Sequence, residues 1–199
     1  MQPYLLVLFV HVAAAMALVG GSAIASTRVR ATVRSARTVQ ELRAFLAIGR
    51  PLAVLNPVAS MLVFASGLYL TSAGRFWSLG WVQVAVAFWV VNVVVAVAAV
   101  KPAIGRTAAE AARAGDGAVG ERLDAIRWSP RWSVGSDMLV ANDTAMLYLM
   151  AVKPGFASSL LAVAVANALV LAGRIAFGRP RAARALPTEP RVAAPAGRR

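Results

Sequence analysis

The stretch "ANDTAMLYLMAVKPG", Ala141 to Gly155, decides how this chain is read: an apolar run opens on Asn142, Asp143 and Thr144 and stops on Lys153 and Pro154. Taken from Met138 to Val152 alone, the run gives roughly 22 Å of helix, too short to cross a bilayer. Upstream, "WSPRWSVGSDM" supplies Ser129 as an N-cap and Pro130 at a first helical position. A helix from Pro130 to Val152 is roughly 34 Å long and spans with slight tilt. That choice puts Asp143 roughly 15 Å from Lys153, near mid-membrane. A carboxylate there costs roughly 2.5–3.5 kcal/mol on insertion scales and is expected to face other helices.

The rest of the chain favours a membrane setting. Of 199 residues 59% are hydrophobic, and mean hydropathy is +0.68; soluble domains sit nearer about 45–50% apolar. The excess is too large to hide in a core of this size, so a lipid-facing surface is expected. Net charge is +13, from 21 Lys and Arg against 8 acids. These cations are scattered between apolar runs, which argues against a folded nucleic-acid-binding face and fits cytoplasmic loops. Without cysteine, disulfides, thiolate metal sites and covalent c-type haem attachment are excluded. "SAIAS", Ser22 to Ser26, looks like a cleavage site, but Met1 to Tyr4 carries no positive charge. The arginines follow the run instead, so an uncleaved first span with its N-terminus outside is expected.

The fold expected is all-α: a polytopic bundle of five transmembrane helices over about 3–25, 51–71, 81–100, 130–152 and 156–177. Lys and Arg alternate between the spans. Six lie in the first loop (Arg28, Arg30, Arg34, Arg37, Arg43, Arg50), Arg75 in the second, six in the third (Lys101, Arg106, Arg113, Arg122, Arg127, Arg131), Lys153 in the fourth, and seven from Arg174 onward. That alternation demands an N-terminus outside and a C-terminus in the cytoplasm. Trp77 and Trp81 at one edge, and Trp128 and Trp132 at the other, are expected to anchor the interfaces. Thr38 and Glu41 have capping-box spacing, so a helix should begin there and feed the second span. "RTAAEAARA" and "GERLDAIRW" read as short helices split by "GDG". Residues 178–199, rich in Arg, Ala and Pro, read as a disordered cytoplasmic tail whose arginines favour anionic lipid.

Counting depth from the outer surface at roughly 1.5 Å per residue puts His11 at roughly 12 Å, Asn142 and Asp143 at roughly 15 Å, Asn92 at roughly 16 Å and Asn167 at roughly 17 Å. Gln83 falls nearer the outside and Asn56 nearer the inside. A mid-membrane polar layer is therefore expected, with His11 and Asp143 facing each other across the first and fourth spans. Asn92, Asn142 and Asn167 are interhelical glue on one reading and line a small-molecule or proton path on the other. His11 is a satisfied bundle histidine, a proton-relay member, or a haem or metal ligand. With one histidine, a second axial ligand would be Met16, Met61, Met146, Met150, Lys153 or a residue of a second subunit. Lys153 otherwise snorkels to the interface, with Pro154 stopping the helix. Ala13, Ala17, Gly21 and Ala25 form a small-residue ladder for a neighbouring helix or a homodimer partner. No hydrolase motif, P-loop or dinucleotide fingerprint is present, and no catalytic residue is assigned.

"LFVHVAAAMALVGG" (Leu8–Gly21), "ASGLYL" (Ala65–Leu70) and "YLMAVKP" (Tyr148–Pro154) resemble a group of bacterial integral membrane proteins catalogued as domain of unknown function 2269. The resemblance covers roughly Pro3 to Pro154; the fifth span and Arg-rich tail depart from it. That family is distantly similar to copper-resistance membrane proteins and to the small membrane protoporphyrinogen oxidase. The resemblance implies a helix bundle in the bacterial inner membrane, with His11, and more remotely Lys153, as residues for haem b or a metal. A non-enzymatic membrane protein is the expectation; a haem- or metal-binding redox protein using His11 is the alternative.

Overall fold

The computed structural model describes residues 3–177, and every regular element among them is helical. The expected disordered tail, 178–199, lies outside the described residues. Helix α1 (Pro3–Ile24) passes through a π-helical turn (Ala25–Val29) into α2 (Arg30–Ser35). Helix α3 (Val39–Ile48) leads across Gly49 into α4 (Arg50–Ala73). Helix α5 (Gly80–Val95) continues through a second π-helical turn (Ala96–Val100) into α6 (Lys101–Arg113). Then come α7 (Glu121–Arg127), α8 (Pro130–Val152) and α9 (Phe156–Phe177).

Four continuous helices, Pro3–Ser35, Val39–Ala73, Gly80–Arg113 and Phe156–Ala176, are long and apolar enough to cross a membrane. In three of them only 11% of the most apolar stretch is buried by protein. What remains uncovered is the surface lipid would take, the make-up of a multi-pass membrane protein. Helix α8 has 23 residues yet falls outside that set, because Asp137, Asn142 and Asp143 interrupt its apolar sequence. Its position explains the composition: α8 touches α1, α5, α6 and α9. Nine of its residues, from Trp132 to Leu149, are buried. A helix surrounded by protein can carry polar groups that a lipid-facing one cannot.

The bounds of α8 fall where Pro130 and Lys153-Pro154 predicted them. Ser129, however, caps through its main chain: its carbonyl accepts the Ser133 N–H at 3.3 Å, and its side chain makes no capping bond. Helices α1 and α4 run antiparallel as one close pair, and α5, α8 and α9 form a second group. At one end, hereafter the basic end, α2, α3, α6, α7 and the start of α8 bury Val33, Val39, Leu42, Ala103, Ala111, Leu123 and Trp132 in a small core. Having these apolar positions to bury, the first and third apolar runs do not stop at Ala25 and Val100 but continue helically to Ser35 and Arg113.

Capping chemistry fastens that end. The predicted capping box is formed: the Glu41 N–H donates to Thr38 Oγ1 at 3.2 Å, and the Thr38 N–H donates to Glu41 Oε2 at 3.3 Å. The Arg37 N–H donates to the same carboxylate at 2.7 Å and, with Thr38, holds Glu41 below the usual carboxylate range. Arg127 donates to the carbonyls of Val33 (3.1 Å) and Ala36 (2.7 Å) where α2 ends, while Asp124 pairs with it at 2.5 Å. Trp128 stacks under the Arg34 guanidinium at 4.4 Å. Trp132 departs from its expected role. At 2% exposure it is a core residue rather than an interfacial anchor, because α8 turns it into the space between α2, α3, α6 and α7.

Candidate intramembrane site

Between the α1–α4 pair and the α5–α8–α9 group lies a cavity of about 570 Å³. It exists because α4 and α5 barely touch and α1 meets α8 only in part. Its wall is mostly apolar, with Phe64 and Trp89 stacked at 3.8 Å, and His11, Ser22, Asn56, Asn92, Asp143 and Lys153 break that wall with polar groups. The Trp89 indole N–H is satisfied by Ser60 Oγ at 3.1 Å, which fixes the ring against α4.

The amides expected at one depth form a chain of hydrogen bonds. The Asn167 side chain of α9 donates to Asn142 Oδ1 at 2.6 Å; Asn142 donates to Asn92 Oδ1 at 2.7 Å; Asn92 donates to Asp143 Oδ1 at 3.1 Å. Asn142 is 1% exposed, and adjacent residues of one helix thus point to different neighbours, Asn142 toward α9 and α5, Asp143 toward the cavity. Ser22 of α1 approaches the Asp143 carboxyl from the opposite wall. The carboxyl is therefore the end of a polar relay that starts at α9 and stops at an open space.

His11 does not face Asp143. Its Nδ1 lies 3.0 Å from the Val63 carbonyl and 3.0 Å from Ser66 Oγ, both on α4. A carbonyl only accepts, so Nδ1 carries the proton, and Nε2 keeps its lone pair beside the cavity that the ring lines. Ser66 spends its own hydroxyl proton on the Leu62 carbonyl. A Cβ on Gly67 would stand 3.2 Å from the imidazole Cε1, so this glycine of "ASGLYL" leaves room for the ring. The α1 side chain that meets Asp143 is Ser22, about three turns or roughly 16 Å along the helix from His11. Ser22 and Ser66 carry no distinguishing sequence pattern; only the packing of α1 on α4 reveals them.

Lys153 ends α8 in the left-handed conformation (φ 53°, ψ 51°), its N–H donating to the Leu149 carbonyl at 2.9 Å, and it lines the same cavity. Met61, Met146 and Met150 line it too, whereas Met16 is 70% exposed on the outer face of α1 and is no partner for His11. Among the described residues no group of three or more His, Cys, Asp or Glu is placed to hold a metal ion. Of the small-residue ladder only Gly21 is buried, and it is buried inside the protein: a Cβ there would collide with the Asn56 side chain of α4. Ala13 is exposed.

At the basic end Asp137 is clamped between Arg30 (2.6 Å) and Arg174 (2.5 Å), and both arginines also bond Ser133, tying α2, α8 and α9 together. Sequence reading passed over Asp137, since an acid so near a run of arginines looks like part of a solvated face. Comparison of the chain with protein-family models, with curated proteins and with solved structures finds no match. The site therefore has to be read from its own chemistry.

Proposed function

We propose that this chain is a five-span protein of the bacterial inner membrane, with its N-terminus outside and the basic end in the cytoplasm, whose intramembrane cavity takes up a small, mostly apolar molecule against Asp143. The observation that carries this reading is the hydrogen-bonded amide chain from Asn167 through Asn142 and Asn92, which ends on a carboxyl that lines a 570 Å³ cavity. Amides used purely as glue bond to one another and need no open space beside them. Here the chain orients a carboxyl toward an accessible apolar void, the arrangement expected of a ligand site or proton path within a membrane. The resemblance to domain of unknown function 2269 rests on short motifs alone, and no family model matches the chain. It adds no activity, and no enzymatic role is proposed.

The absence of native cysteine makes the test direct. Ser78→Cys and Ser35→Cys, both at exposed positions, report topology through a membrane-impermeant maleimide on intact cells: Ser78→Cys is labelled and Ser35→Cys is not. Ser60→Cys, on the cavity wall, reports occupancy, since an apolar maleimide should reach it unless a cavity ligand is present. Labelling of Ser35→Cys from outside, or a Ser60→Cys thiol that no apolar reagent reaches, contradicts the proposal.

A second reading is favoured by the imidazole. Holding Nδ1 on the Val63 carbonyl is how proteins orient a histidine for ligation through Nε2. The surrounding wall suits a haem: apolar rings, Met61, Met146 or Met150 for a sixth ligand, and Lys153 at the mouth for a propionate. Haem would supply electron transfer. The visible spectrum of purified protein decides: a Soret band lost in His11→Ala supports it, and colourless wild-type protein removes it.

A further inference from the structure

We infer that the half of the cavity nearest the basic end is a binding site for a lipophilic organic cation, an apolar molecule bearing an amine or quaternary nitrogen, with Asp143 as its counter-ion; this deepens, and rests on, the reading of the cavity as a ligand site. Among the described residues Asp143 is the one acid that lines the cavity. Asp143 presents its carboxyl, with one oxygen taking the Asn92 N–H at 3.1 Å. The Asn56 side-chain oxygen is packed against Gly21 and fully enclosed, so it offers nothing to a ligand. Ser22, the neighbour of Gly21, turns to Asp143, so Asn56 and the carboxyl lie at one level of the bundle. An amide N–H of each asparagine in the chain is directed to the next acceptor, toward Asp143 or away from the void. A molecule entering this level meets the Asp143 carboxyl. A positive charge satisfies that carboxyl; an anion does not.

Two further features point the same way. The stacked Phe64 and Trp89 rings line the same cavity, with Trp89 about one turn of α5 before Asn92, the donor to Asp143, and aromatic faces attract cations. Among the described residues Lys153 is the one Lys or Arg side chain on the cavity wall, and it sits at the far mouth, ten residues and roughly 15 Å along α8 from Asp143. Along the length of the cavity the potential therefore runs from positive at Lys153 to negative at Asp143, drawing a cation inward and holding its apolar body in the wider apolar part.

The test uses the full chain purified in dodecyl maltoside, with quenching of its tryptophan fluorescence by ethidium, a flat aromatic cation with two amino groups, against pyrene, a flat aromatic without charge or donors. Ethidium should bind wild type tighter than pyrene and weaken roughly tenfold or more in Asp143→Asn, a nearly isosteric change that still accepts from Asn92. Lys153→Gln should tighten ethidium, and pyrene should ignore Asp143→Asn. If pyrene binds wild type as tightly as ethidium, or ethidium ignores Asp143→Asn, the cation site is overturned while the ligand cavity stands. If neither probe quenches wild type, both fall. Should Asp143→Asn not fold, the wild-type comparison of the two probes still decides.

Discussion

At the basic end Val33, Val39 and Leu42 are 2% exposed or less, Arg127 closes the end of α2, and Asp137 is held by two arginines. Midway along the same helices the α4 and α5 backbones stand apart, bridged by Trp89 against Phe64 and Ser60, a cavity of about 570 Å³ opens, and a buried carboxyl faces it. In water the hydrophobic effect closes a core, and every apolar residue there gains by being covered. Inside a bilayer lipid covers apolar surface as well as protein does, so helices separate at little cost, and polar pairing decides where they meet. The basic end thus behaves as a soluble helical domain that fixes the helix ends. The freedom to leave a void is confined to the membrane part.

That contrast can be broken by mutation, and the largest effect is expected from the watery core. Leu42→Ala should destabilise by about 2–5 kcal/mol, seen as a drop in thermal unfolding temperature in detergent, while ethidium affinity below that temperature stays at the wild-type value. Asp137→Asn removes the shared partner of Arg30 and Arg174 and should cost about 1–3 kcal/mol, again without changing ligand affinity. Asn142→Leu strands Asn92 Oδ1 and takes one of two acceptors from the Asn167 amide, which keeps the Val163 carbonyl at 2.9 Å. Its stability cost should be smaller, about 1–2 kcal/mol at most, yet it should weaken cavity binding because Asn92 no longer has a fixed donor for Asp143. A cavity indifferent to Asn142→Leu, or as sensitive to Leu42→Ala, would erase the distinction between the two regions.

The smallest effect concerns Glu41. Its carboxyl is held below its ordinary value by the Arg37 and Thr38 N–H groups. A depressed folded-state value means that the stabilisation is present above the unfolded value and is lost as pH falls through the folded one. Thermal stability should thus decline slightly on acidification, and Glu41→Gln should flatten that decline. An acid limb that stays the same in Glu41→Gln assigns it to other carboxyls.

Much of this was legible where local chemistry decides. Pro130 and Lys153-Pro154 bound α8 because proline tolerates a helix start and stops a helix end. Thr38 and Glu41 announced their box because it needs only i,i+3 spacing. Asn92, Asn142, Asp143 and Asn167 fell to one depth by counting, and they do share hydrogen bonds, since α5, α8 and α9 belong to one tightly packed group. His11 failed the same count. Ser60 is roughly 20 Å from the end of α4 yet meets Trp89, roughly 14 Å from the start of α5, so the α1–α4 pair is displaced along the bundle axis. Such offsets arise from side-chain packing across the sequence and leave no trace in hydropathy. Trp132 failed for a related reason: tryptophan suits an interface and a core equally, and only the fold of the loops into helices decides between them.

The account stands on Asp143 being a carboxyl reachable from the bilayer. A hydrophobic carbodiimide, which partitions into membranes and reacts with carboxyls there, tests this on the full chain in native membranes, read by mass spectrometry of proteolytic peptides. The prediction is modification of Asp143 in preference to Asp137, reduced when ethidium is present and absent in Asp143→Asn. An Asp143 that stays unmodified while the salt-bridged Asp137 reacts would contradict it.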